Sequence, residues 1–252
     1  ICLDYSGTPG SWVEQQTRNP ASLYRYLLQH PGTNRPEPDS NIDLAALEEW
    51  HDYCNGRDLT CSLVITGDVS RDDALAKVAA LGEAVPIRRD GRYSIAIDRE
   101  QPTIHQLISD RNVRSFSVEQ FMVRRVHALR VEFANQLQGW RQDEIIVYND
   151  GFDAQTATVF ETLRLEGVTS AEIAYRRARR RMAEAVHRAA RFSFQLDWEW
   201  LRSERGDRVQ VENAAALIGA GRARVTSVDA DASQWFGAQV DDTIVMDSGE
   251  RY

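Results

Sequence analysis

AYRRARRRMAEAVHRAARFSFQLDWEW, residues 174–200, changes its periodicity half-way, and that change decides the fold class. Placed on a wheel at about 100° per residue, Ala171, Tyr175, Ala178, Met182, Ala185, Val186 and Ala189 share one arc. Arg176, Arg177, Arg180, Arg181, Arg188 and Arg191 share the opposite arc, and Arg179 flanks the apolar one. Glu184 stands four residues from both Arg180 and Arg188, the spacing of helical ion pairs. Thr169 and Glu172 have capping-box spacing, so a helix is expected over 169–190. From Arg191 the period becomes two. Phe192, Phe194, Leu196, Trp198 and Trp200 face one way, and Ser193, Gln195, Asp197 and Glu199 the other. That pattern predicts a half-buried strand of ten residues, on which the alanine side of the helix can pack.

Working outward, the second half is expected to be mostly β around this one helix. HALRVEF, DEIIVY, VFETLRL, RVQV, ARVTSV and DTIVMD read as strands, and Asn149-Asp150-Gly151 as a turn. Residues 19–101 read as a smaller α+β unit. Asn19 can cap a helix with Pro20 at its first position. A second helix starts near Ser40 or Asn41, with Leu44, Leu47, Trp50 or His51, and Cys54 on its apolar face. In DLTCSLVI, Leu59, Cys61, Leu63 and Ile65 alternate as a strand. Ser70 with Asp73 opens a third helix that ends at Leu81 and Gly82. Asp90-Gly91 closes a hairpin, after which Tyr93, Ile95 and Ile97 alternate. The fold class expected is therefore α+β, divided into 1–18 (a linker or the end of a preceding β-domain), 19–101, 102–212 and 213–252. The start at ICLDYSGTPG and the end at SGERY are those expected of a fragment of a longer polypeptide.

The 252 residues carry a net charge of −8, which argues against a chain that binds nucleic acid with its whole surface. No apolar run approaches the roughly 18–20 residues of a membrane span. Cys2, Cys54 and Cys61 are an odd number at irregular spacing, so no disulfide framework is expected.

Five of the six residues Arg176–Arg181 are arginine, and three readings compete for them. One is a solvated face of a surface helix. Another is a protein–protein contact with an acidic partner, through Arg176, Arg177, Arg180, Arg181 and Arg188. The third is a nucleic-acid-binding module on the basic helix 171–191. No aromatic residues interleave the arginines for base stacking, which counts against that third reading.

Other constellations are weaker. His51, Cys54 and Cys61 have no evident fourth zinc ligand, and both cysteines fall on apolar faces. Asp229, Asp231 and Asp241-Asp242 lack the glycine and terminal glutamate of a calcium loop. His105, His127 and His187 have no nucleophile in a recognisable motif. Gly219-Ala220-Gly221 reads as a turn without a phosphate-binding fingerprint. Trp198 and Trp200 read as core, not as a sugar platform. No catalytic, cofactor-binding or metal-binding residue is assigned, no cofactor is expected, and the chain is read as non-enzymatic.

Several segments in order, Asn19-Pro20-Ala21 with LYRYLL, IDLAALEEWHDYC, HALRVEF, QDEIIVYNDGFD, RGDRVQV and VMDSGERY, resemble the tail-tip hub proteins of long-tailed phages. These are the host-specificity (J) proteins of lambda-like phages and their prophage and gene-transfer-agent relatives. The resemblance covers about residues 19–252, with Val126 standing where proline is expected. It implies a homotrimeric virion component at the tail tip, made in the host bacterial cytoplasm. Tail-tube-like β-barrel domains, each carrying a helix, would join the sixfold tube to a threefold tip and central fibre. Residues 102–212 would be one such domain, with 213–252 starting another. The implied partners are other tail-tip and tail-tube proteins, DNA passing through the channel without specific binding, and the host surface through regions outside this chain.

Overall fold

The computed structural model describes residues 1–32, 35–65, 69–120, 126–188 and 190–212, with the strands at 225–227 and 245–246. Helix and strand occur in nearly equal measure, so the chain is a mixed α+β protein.

The chain opens with strands β1 (Cys2–Tyr5) and β2 (Trp12–Gln15), paired antiparallel. Helix α1 (Pro20–Gln29) follows, with Asn19 Oδ1 accepting from the Ala21 N–H at 2.9 Å. Helix α2 (Leu44–Gly56) is capped by Asp43, whose Oδ1 accepts from the Ala46 N–H at 3.2 Å. The start expected at Ser40 or Asn41 is instead a separate 3-10 turn, Asp39–Asn41. Helix α3 (Arg71–Leu81) is capped by Ser70, whose Oγ accepts from the Asp73 N–H at 3.1 Å. Strands β3 (Ala84–Arg89) and β4 (Arg92–Ile97) form the expected hairpin. Its two turn residues, Asp90 (φ 50°) and Gly91 (φ 77°), are both left-handed, as a type I′ turn requires.

Next come β5 (Gln106–Ile108), β6 (Val113–Gln120), β7 (Ala128–Asn135), β8 (Arg141–Tyr148) and β9 (Phe160–Leu165). Strand β7 is central, antiparallel to β8 and parallel to β9. Helix α4 (Ala171–His187) packs on β7 and β8. Then follow β10 (Ala190–Leu196), β11 (Val209–Val211), β12 (Val225–Ser227) and β13 (Val245–Met246). Strand β10 pairs with β6, β11 runs parallel to β5, and β12 pairs antiparallel with β13. Among the described residues the strands make two- and three-stranded sheets, with no closed barrel.

The chain divides into two compact units. The first comprises residues 1–101, 117–193 and 204–206. One core runs through it, from Tyr24, Trp50 and Leu75 on the first three helices to Val131 and Val147 on the sheet and Ala174 and Ala178 on α4. Trp50 is fully buried, and its indole Nε1–H donates to the Gly82 carbonyl at 2.8 Å. A Cβ at Gly82 would stand 2.7 Å from that Nε1, so the close approach of ring and turn demands glycine. The second unit comprises 102–116, 194–203 and 207–252. In it Arg114 pairs with Asp197 at 2.6 Å, and Ser203 Oγ donates to Gln106 Oε1 at 2.6 Å.

Four sequence expectations need correction. The ten-residue strand 191–200 ends at Leu196, because the backbone leaves the strand conformation at Asp197 (φ −75°, ψ −130°). A 3-10 turn, Trp198–Arg202, takes its place, and Trp198 and Trp200 are 83% and 58% exposed instead of core. The segment DLTCSLVI starts in a turn at Asp58 and belongs to no sheet. It makes single backbone bonds, Cys61 N–H to the Arg18 carbonyl and Ser62 N–H to the Gly167 carbonyl. The apolar face of α4 is also rotated from the wheel's arc. Ile173, Ala174, Ala178 and Met182 are buried, whereas Tyr175 and Val186 are about half exposed. Its first turn follows Ser170, which caps through backbone only, while the expected cap Thr169 is buried and reaches Gln136.

Candidate interaction site on the arginine helix

Helix α4 has neighbours on two sides, which explains the rotation of its buried face. Ala174 and Ala178 have no exposed surface, and such small side chains let the backbone lie close to β7 and β8. On the sheet side, Arg179 Nη1–H donates to the Tyr148 carbonyl (3.1 Å) and Nη2–H to Asp150 Oδ1 (2.8 Å). Arg176, Arg177, Arg180 and Arg188 turn toward α2, α3 and the residues flanking the β3–β4 hairpin.

Arg176 Nη1–H donates to the Arg57 carbonyl at 2.8 Å, just past the end of α2. Arg177 donates to the Ala80 (3.1 Å) and Leu81 carbonyls at the end of α3. A guanidinium there adds a charged donor to the last carbonyls of the helix, at the negative end of its dipole. Burial holds the Arg177 pKa below its usual value, and its Nε is buried without a partner.

Arg180 is the centre of a charge network. It pairs with Glu83, with Asp98 Oδ2 (2.6 Å) and with Glu184 Oε1 (3.2 Å). Burial works against its charge, but these acids outweigh burial and push its pKa up. Arg188 pairs with Asp98 Oδ1 at 2.7 Å and lies 3.8 Å from Glu184. The Arg188 hydrogen bond, opposed by burial and helped by Arg180, holds the Asp98 carboxyl below its ordinary value. Arg181 is exposed and makes no hydrogen bond or ion pair among the described residues.

The structure thus brings Arg176, Arg177, Arg180 and Arg188 to one wall of a recess of about 520 Å3. Arg57 and Arg99 join them, as do Glu83, Asp98 and Glu100. Arg181 lies outside this recess and lines a smaller one of about 290 Å3. The i, i+4 pairs with Glu184 were readable in the sequence. Glu83 and Asp98 were not, since nothing local marks them as partners of a helix so far along the chain.

The structure also joins residues that the sequence does not connect. Asp4 on β1 accepts from Ser22 Oγ (2.5 Å) and Gln15 Nε2 (2.5 Å), and lies 3.0 Å from His51 Nε2. Burial raises the Asp4 pKa, but the hydrogen bonds from Ser22, Gln15, Thr17 and His51 outweigh it and hold the carboxyl low. Ser22 donates to the aspartate and not to the histidine, and all three residues are buried. The arrangement ties β1 to α1 and α2 and does not activate a serine nucleophile.

His51, Cys54 and Cys61, read in the sequence as core more than as zinc ligands, are all buried. Cys54 and Cys61 are buried thiols whose pKa values burial pushes up to about 12 and about 11. No group of histidine, cysteine or acid able to hold a metal occurs among the described residues. His105 lies 3.7 Å from Asp207, His127 stacks on Phe152 at 3.9 Å, and His187 is exposed. Gly219, Gly221, Asp229, Asp231, Asp241 and Asp242 lie outside the described residues. No helix among the described residues is long and apolar enough to cross a membrane.

Comparison with known proteins places the chain in a family. The family described as "Putative phage tail protein" matches residues 72–230. That is more than half of the chain, so the chain belongs to this family of phage tail proteins. Among solved structures, it resembles the tail protein from Neisseria meningitidis MC58, at 11% identity and a TM-score of 0.48. That match covers 69% of this chain and 58% of the other. It also resembles the 43 kDa tail protein of prophage MuSo2 from Shewanella oneidensis, at 14% identity and a TM-score of 0.39. There the cover is 65% and 54%, so the chain spans little more than half the length of either structure. No curated protein matches the sequence.

Proposed function

We propose that this tail protein is a non-enzymatic structural hub of a phage or prophage-like tail tip, and that it works as a homotrimer. In this reading it joins the tail tube to the central fibre and host-recognition apparatus. Residues 19–101 form a small α+β hub domain and 102–212 a tube-like domain carrying the 169–190 helix. DNA passes through the assembled channel without specific binding.

The observation that carries the reading is membership of a phage tail family, coupled to the order of the hub-like segments from Asn19 to Tyr252. The charge supports it. Each phosphate neutralised by a lysine or arginine adds affinity, so a channel wall of net negative charge lets DNA slide. Most of the arginines of α4 are engaged within the chain, which disfavours a nucleic-acid-binding helix. Native mass spectrometry of the full-length protein, with immunolabelling of tail particles, tests the reading. Trimers and label at one tail end are expected. A strictly monomeric protein that never labels tails refutes it.

A further inference from the structure

The recess beside α4 has two arginines at its edge that the fold uses lightly. Arg176 is exposed, donates one N–H to a neutral carbonyl, and has no carboxylate partner among the described residues. Arg57 lies over the Tyr53 ring at 4.7 Å, and its side chain is 55% exposed. Its guanidinium stands 3.8 Å from Glu83, which is already paired with Arg180. Leu59 and Ile173 give the same recess an apolar part. Its volume, about 520 Å3, is that of a ligand site.

We propose that this recess receives an acidic segment of another protein, with a carboxylate held between Arg57 and Arg176 and an adjoining apolar side chain against Leu59 and Ile173. Arginine suits this task because its planar fork binds a carboxylate through two parallel N–H groups. A peptide fits better than a nucleic-acid strand. Glu83, Asp98 and Glu100 alternate with the arginines here, and a strand carrying a charge on every nucleotide would meet them. An acidic segment with apolar side chains between its carboxylates brings less negative charge to them. The proposal stands on the recess alone, so the test below is independent of trimer formation.

Fluorescence anisotropy of the full chain tests it, with a fluorescein-labelled peptide of alternating glutamate and leucine. A lysine–leucine peptide and a labelled single-stranded DNA serve as comparisons. The glutamate peptide should bind at about 50 mM salt, weaken at high salt, and bind at least about tenfold more weakly to R57E and R176E. R57Q and R176Q should show the same trend in smaller measure, and serve if a charge reversal disturbs folding. Absence of binding at low salt, affinity unchanged from the unaltered chain in all four variants, or tighter binding of the DNA would each overturn the proposal.

Discussion

Arg180 shows what one residue of the basic run does. It faces three carboxylates, of which Glu83 is only 13% exposed in its side chain. Arg180→Ala would leave Glu83 without its closest cation and should cost about 2–3 kcal/mol, read as a lower urea midpoint. Arg181→Ala, one residue on and exposed, should change stability by less than about 0.5 kcal/mol. Equal effects of the two would contradict the assignment of roles. Asp98 adds a pH signature. Its folded pKa lies below the ordinary 3.8, so its contribution is present above that value and is lost as pH falls through the lower one. Asp98→Asn should therefore be less stable than wild type near neutrality and lose less stability on acidification below about pH 4. Parallel stability curves for the two proteins would refute this. At this scale the sequence supplied the 180–184–188 pairs, because helical geometry fixes them. It could not supply Glu83 or Asp98, which only the fold brings near.

Helix α4 was legible as a helix, and so were the three helices before it, the β3–β4 hairpin and strands β7 to β9. Their signals are local: caps, turn residues and periodicity. The buried face of α4 was not legible, because the wheel assumes one neighbour and the helix has two. Ala174 and Ala178, which meet the sheet without exposed surface, should each tolerate leucine poorly, at a cost of about 1–3 kcal/mol. Val186→Ala, on the face first read as core, should be nearly neutral in the same denaturation assay. The strand after the helix failed for a related reason. Alternation in RFSFQLDWEW describes which residues could share a face, but β10 stops at Leu196, and the tryptophans beyond it lie exposed in a turn. Capping separates in the same way. Ser70→Ala removes a side-chain cap bond and should cost about 1 kcal/mol, whereas Ser170→Ala, at a cap without such a bond, should cost little.

For the whole molecule, the mixed α+β class and a phage tail protein were within reach of the sequence, and the hub role and its assembly belong to the proposal. Ordered segments suffice to mark a tail protein, but the surfaces that meet other copies leave no periodic trace in one chain. The arginine run illustrates the difference. Three readings compete for it in the sequence, and most of it fastens α4 to the elements around the recess. What remains for partners is the edge of that recess and Arg181. The central claim, a trimeric hub at the tail tip, is tested most directly by electron microscopy of intact tails carrying the full-length protein. Three copies around the tail axis at the distal end are predicted, with Arg176, Arg180 and Arg188 away from the lumen. Sixfold or single-copy density, no density for this chain at the tip, or those arginines lining the lumen would contradict the account.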